Sequence, residues 1–287
     1  MGTAPTSYSD DESATVSSVR IPAVAGSFYP ADSAELAATV DRMLHEAHMA
    51  TPAEPLGAMI VPHAGYVYSG PIAATAFRLL HHQGRTVRTA VVLCPNHTVP
   101  LDTIALSGSD VWRTPLGDIR VDVDLRDELV AAGAAVSADG PHLREHAIEV
   151  QLPFLQRILT DGWKLLPAVV GPVPPVWGGA FLDRCWGAKD LVVISSDLSH
   201  YLPYEEARRR DRATVNAIVA GDPAAIHPDQ ACGAWPLRSL LAAAATASMR
   251  PEVLDLRNSG DTAGPRDRVV GYAAVTYHSA SPSFSRL

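Results

Sequence analysis

Lysine is almost missing from this 287-residue chain: Lys164 and Lys189 are the only two, and neither ends an apolar run, so no amine is placed for Schiff-base chemistry. Cysteine is scarce as well. Cys94, Cys185 and Cys232 are odd in number and far apart, which fits neither a disulfide framework nor a CxxC metal site and points to a reducing, cytoplasmic setting. Positive charge is in deficit, the net charge being -8, so the clustered field that a nucleic-acid surface needs is not advertised. The one basic run, Arg208–Arg210 with Arg212, follows Glu205 and Glu206 and reads as a solvated, self-paired helix face. No apolar stretch reaches the roughly 18 residues that span a bilayer, and the first twenty residues carry Ser, Thr, Asp and Glu where a signal peptide would be apolar. The chain also has no GxGxxG, Walker loop, GxSxG elbow or HExxH, which removes motif-level support for nucleotide binding and for the familiar peptidases.

What remains is apolar and regularly spaced. Hydrophobic residues make up 47% of the chain and charged ones 19%, enough for one large core. Residues 1–19 are too polar to offset the entropy of ordering and read as a flexible tail, 20–280 as a single domain, and 281–287 as a second tail. Asp32 with Glu35 makes a helix start, followed by Leu36, Val40, Met43 and Leu44 at helical spacing. Short apolar runs at Ala58–Val61, Ala90–Leu93, Leu165–Val170, Leu191–Ile194, Val253–Leu256 and Tyr272–Tyr277 then alternate with helical segments. That alternation predicts an α/β fold with a mixed, largely parallel central sheet flanked by helices. The stretch Thr103–Val123, broken by Gly108 and Pro115–Gly117, is expected to add antiparallel strands.

In such sheets the working crevice lies beyond the carboxyl ends of the strands. Three of those ends carry chemistry: Pro62-His63-Ala64-Gly65-Tyr66, Cys94-Pro95-Asn96-His97, and Ser195-Ser196-Asp197-Leu198-Ser199-His200. One histidine after a strand is ordinarily structural, but His63, His97 and His200 at equivalent ends are ligand-competent together. Asp197 is suited to orient an imidazole, and His200 to exchange a proton with a bound small molecule. Cys232, just before a helix at Leu237–Ala247, has the position of a thiol with lowered pKa, which makes it a ligand or a reactive group. Cys94 and Cys185 read as packed structural thiols. His146 and Glu149 are one turn apart, with facing the crevice together and purely structural roles equally open. The other histidines, His142 and His278 among them, fall on expected helix faces, helix ends or loops and read as surface or structural.

These residues sit in segments that carry a family resemblance. Ala23–Pro30, Pro62–Tyr66, Glu145–Glu149, Ser196–His200, Ala231-Cys232-Gly233 and Val270–Ala274 together resemble the Memo family, whose bacterial members are called AmmeMemoRadiSam system protein B. The resemblance implies a fold similar to the class III extradiol dioxygenases and a mononuclear metal ion, iron or copper with zinc as the alternative. It implies His63, His97 and Cys232 as ligands, with Asp197 and His200 lining the same pocket; these two and His146 are the catalytic candidates. A thiolate in place of the dioxygenase carboxylate is a softer ligand and argues against ring cleavage.

Three functions follow as expectations. The first is a redox or oxygen-linked metal protein acting on a small molecule. The second is a non-catalytic module that binds a peptide or AmmeMemoRadiSam partners, including a radical SAM protein. The third is a zinc hydrolase.

Overall fold

The computed structural model describes residues 18–48, 55–83, 86–187 and 189–279, so most of the expected tail at 1–19 and all of that at 281–287 lie outside the described residues. Val19 is already ordered, in strand β1 (Val19–Arg20). The chain continues through α1 (Ser33–Glu46), β2 (Leu56–Val61), α2 (Tyr66–His82), β3 (Thr89–Pro95) and β4 (Ile104–Leu106). Then come β5 (Val111–Thr114), β6 (Gly117–Arg120), α3 (Val123–Ala131), β7 (Val136–Ser137), α4 (Leu152–Ile158) and β8 (Lys164–Val170). The last part holds α5 (Pro175–Cys185), β9 (Asp190–Ser195), β10 (His200–Leu202), α6 (Tyr204–Ala220), α7 (Ala234–Thr246), β11 (Met249–Asn258) and β12 (Val269–Ser279).

All six apolar runs named above are strands. β2, β9, β3 and β8 lie side by side and parallel, and in β2, β3 and β9 every residue is buried, as a sheet covered on both faces requires. Antiparallel strands finish the nine-stranded sheet: β12 pairs with β2, β10 and β11, and β4 pairs with β8 and carries β7 beyond it. Within Thr103–Val123, β4 joins this sheet, while the β5–β6 hairpin forms a separate small sheet with β1.

Alternation along each strand divides the core between two helical layers. Met59, Val61, Val92 and Val193 face α1, α2 and α4, where Phe77 stacks on Phe154 with ring centroids 4.8 Å apart. Ala58, Ile60, Val91, Leu93, Val192 and Ile194 face the layer that includes α5 and α7. Helix α1 begins as expected, the Asp32 carboxylate accepting the Glu35 amide at 2.9 Å, with Leu36, Val40 and Met43 buried beneath it. On α6, Arg208 pairs with Glu205 within the helix as expected, whereas Arg210 reaches Asp229 beyond it.

Two buried polar groups tie the connecting segments to this frame. Glu149 forms an ion pair with Arg20 in which both side chains are at most 2% exposed, and it also accepts from the Ala23 amide at 2.7 Å, the Val24 amide at 3.0 Å and the Tyr29 hydroxyl at 2.5 Å. Arg20 spends its other donors on the carbonyls of His142 and Glu145 and lies over the Trp112 ring. Glu149 therefore points away from the crevice.

The second group is Asp211 on α6, which accepts the Ser199 amide at 2.9 Å and so anchors the turn after β9. It fits because Gly271 has no side chain: a Cβ there would lie 2.0 Å from the carboxylate. Burial pushes Asp211 up to about 6, against the pull of its hydrogen bonds with Ser199 and of Arg210.

Two outcomes are expected from these groups. Removing the charge in Glu149→Gln leaves the guanidinium unpaired and should lower the unfolding free energy by about 3–5 kcal/mol, read as a fall in denaturant midpoint at constant slope. For Asp211, an acid with a raised native pKa, the unfolded state ionises first, so stability falls as pH rises from about 4 to 6. Asp211→Asn removes that decline, and its advantage over the parent should grow across this window and stay level above pH 7.

Candidate metal centre

His63, Asp197 and His97 each lie two residues beyond the last residue of a strand: Val61 of β2, Ser195 of β9 and Pro95 of β3. The registers pair Val61 with Ser195 and Leu93 with Ile194, so all three emerge at one edge of the sheet. His146 arrives from the Glu145–Glu149 segment, and the ligand atoms of His63, His97 and His146 lie within 4.8 Å of one another. Their rings are 5.1 to 5.4 Å apart, with Phe28 4.8 Å from His146 on the outer side. Cys232 Sγ stands 3.3 Å from His63 Nε2.

The hydrogen bonds decide which nitrogen of each ring is free. Ser195 Oγ donates to the Ala147 carbonyl at 2.7 Å and accepts from Gln151 Nε2 at 2.9 Å, so at 3.0 Å from His63 Nδ1 it serves as a second acceptor. The His63 proton is thereby held on Nδ1, with the Nε2 lone pair facing the cluster. His97 Nδ1 donates to Glu145 Oε1 at 3.0 Å, which holds its proton on Nδ1, while His146 Nδ1 lies 3.4 Å from the same oxygen as a charge contact without a hydrogen bond. In their neutral forms His63 and His97 therefore present Nε2 as the ligand atom. A metal-binding histidine characteristically gives its other N–H to a carboxylate or similar acceptor.

The charges follow from burial. It pushes His63 down to about 3, with the His97 charge adding to the effect, and His146 down to about 4, with His63 adding. Both imidazoles are neutral, the form that ligates. For His97, burial is outweighed by the Glu145 hydrogen bond and charge, so its pKa rises, and Glu145 falls to about 2 despite its own burial.

Asp197, raised by burial, accepts the His63 backbone amide at 2.7 Å on Oδ1, with Oδ2 3.9 Å from His63 Nε2. Cys232 differs from expectation. Burial, followed by the Asp197 carboxylate, pushes its thiol up, overriding the helix N-terminus beside it. A bound cation would reverse that sign, since a coordinating thiol is deprotonated.

Next to Cys232, Gly233 donates its amide to Ser196 Oγ at 3.0 Å, and a Cβ on Gly233 would sit 2.5 Å from that side chain. Close approach of α7 to β9 therefore requires glycine here.

His200 is exposed and lies outside the cluster, on the wall of a 660 Å³ crevice that the three imidazoles, Asp197, Phe28, Tyr68, Tyr201, Arg268 and Tyr272 also line. Cys94 and Cys185 are buried. His142 is buried with Nε2 3.1 Å from the Ala105 carbonyl, and His278 lies inside β12 rather than on a helix or loop. The orienting groups Glu145, Ser195 and Gln151 were not singled out from the sequence. An acid next to a candidate ligand, Glu145 before His146, was the available sign.

Residues 20–276 match the family model described as Memo-like protein. The chain belongs to the Memo family. Similar curated relatives are MEMO1 family proteins of Sulfolobus acidocaldarius, Aeropyrum pernix and Aquifex aeolicus, at 35%, 38% and 36% identity, each over 90% of this chain and 99% of the relative. Among solved structures, the crystal structure of the uncharacterized protein JW3007 from Escherichia coli K12 aligns with a TM-score of 0.50 at 13% identity, covering 77% of this chain and 99% of that one. This last likeness is one of fold. Among the described residues no helix is long and apolar enough to cross a membrane.

If Glu145 orients the His97 imidazole, Glu145→Gln should weaken zinc binding about 10–100-fold while leaving the near-ultraviolet circular dichroism of the fold in place. Competition against a chromogenic chelator measures this, and an affinity within about twofold of the parent would show that the rings need no such carboxylate.

Proposed function

We propose that this Memo-family chain holds one iron or copper ion through His63, His97 and Cys232, with His146 as a further donor, and uses it in a redox or oxygen-linked reaction on a small molecule. The observation that carries the reading is the convergence of three imidazoles, two of them with Nδ1 already committed. The donor set suits such an ion. Ligands roughly 2.0 and 2.3 Å from one tetrahedral ion lie about 3.5 Å apart, close to the 3.3 Å between His63 Nε2 and Cys232 Sγ. Imidazole accepts iron, copper and zinc, and the soft thiolate tilts the preference toward copper.

Such an ion supplies a redox couple and a coordination position for a small ligand. The protein supplies the rest. Glu145, Ser195 and Asp197 fix the imidazoles, and Asp197 Oδ2 and the His200 ring hold or release protons at the crevice floor and wall. A crevice of 660 Å³ is of a size that encloses a small molecule, which favours this reading over a peptide-binding module.

Anaerobic titration with Fe(II), Cu(I) and Zn(II) tests the site. One ion per chain is expected for the parent, and a loss of affinity of at least about tenfold in each of His63→Ala, His97→Ala, His146→Ala and Cys232→Ser. Undiminished stoichiometric binding in all four variants would sink the proposal. A clear preference for zinc with hydrolysis of esters or phosphoesters would replace the redox role with a hydrolytic one.

A further inference from the structure

The crevice carries chemistry at both ends. At its floor are the imidazole cluster and the buried Asp197, and at its rim are His200, Tyr201 and Arg268. Arg268 is exposed, and no described carboxylate forms an ion pair with it, whereas its neighbour Arg266 reaches Asp261 at 3.8 Å. The Arg268 guanidinium lies 5.1 Å from the centroid of the Tyr201 ring. Tyr201 is one of two described non-glycine residues with positive φ, at 56°, and its side chain is left in the open, the residue being 62% exposed. A left-handed tyrosine is strained, and such strain persists only where the surroundings hold it.

The backbone behind this pair is anchored by strand pairing. His200 pairs with Val270 and Leu202 with Val269, so β10 and the first residues of β12 fix Tyr201 and Arg268 side by side. Phe28, Tyr68 and Tyr272 supply flat, largely apolar walls between rim and floor. The Asp197 carboxyl at the floor disfavours an anion there, while the unpaired guanidinium at the mouth favours one.

We propose that the crevice binds a small, flat organic anion whose carboxylate or phosphate group is taken by Arg268, with its body between Phe28, Tyr68 and Tyr272 and its far end at the imidazole cluster. The far end alone rests on the metal-centre reading. A guanidinium fork recognises both kinds of anion, so the shared feature is a planar body with one terminal oxyanion.

The test follows phenylacetate, phenyl phosphate and the neutral phenylacetamide by chemical-shift titration of the full chain, both metal-free and zinc-loaded. At least one anion should bind about tenfold more tightly than the amide, and the tighter anion identifies the source as carboxylate or phosphoryl. Arg268→Ala should abolish that preference and leave amide binding unchanged, while Arg268→Lys should retain part of it. An unchanged thermal midpoint confirms that these exposed-site variants fold. Absence of binding by both anions, equal affinity for the amide, or a preference that survives Arg268→Ala would each overturn the proposal. Failure of the metal titration alone would remove the metal centre and leave the anion preference of the metal-free protein standing.

Discussion

The buried ion pair between Arg20 and Glu149 is the constraint on which the rest of the site depends. Neither group has water to turn to, so each is satisfied only if several segments meet around it. Arg20 brings β1, the His142 carbonyl, the Glu145 carbonyl and the Trp112 ring together, and Glu149 gathers the amides of Ala23 and Val24 and the hydroxyl of Tyr29. The first consequence is that Phe28, carried between these anchors, is set against His146. The second is that the Glu145–Glu149 stretch has its position set from behind before any ligand arrives.

Within that stretch two carboxylates four residues apart do opposite work. Glu149 faces inward and joins the N-terminal segment to the sheet. Glu145 is fully buried and turned toward the crevice, where it accepts from Nδ1 of His97 and from the amides of His97 and Ala147, with His146 Nδ1 3.4 Å away. A single acid thus sets the His97 tautomer and closes the connection between the end of β3 and the segment that carries His146. Its low pKa and the raised pKa of His97 are two views of the same contact.

The fold was legible in the sequence because buried parallel strands leave continuous apolar runs, and the site was legible as far as residues at strand ends could reveal it. His63, His97 and Asp197 follow from that rule alone. Groups that act through a second residue leave no such mark: Ser195 looks like the last residue of a strand, Gln151 like part of a short helix, and Glu145 like any acid beside a histidine. Glu149 was misleading for a related reason. One-turn spacing suggests a shared face with His146, but the 3-10 turn starts only at Glu149, His146 lies before it in irregular backbone, and the side chains diverge. Cys232 shows a competition between two effects that sequence cannot weigh, a helix terminus that lowers a thiol pKa and a burial that raises it, with burial ahead.

The end of β9 holds three consecutive side chains, each committed to a different neighbour: Ser195 to His63, Ala147 and Gln151, Ser196 to Gly233, and Asp197 to the His63 amide. Ser195 reaches the segment that leads into α4 and Ser196 the residue before α7, so this one edge grips both helical layers. Imidazole and thiol are therefore not independent arms reaching for an ion. They move as parts of one hub, so that a shift of β9 against its neighbours would carry His63 and Cys232 along together and preserve their separation.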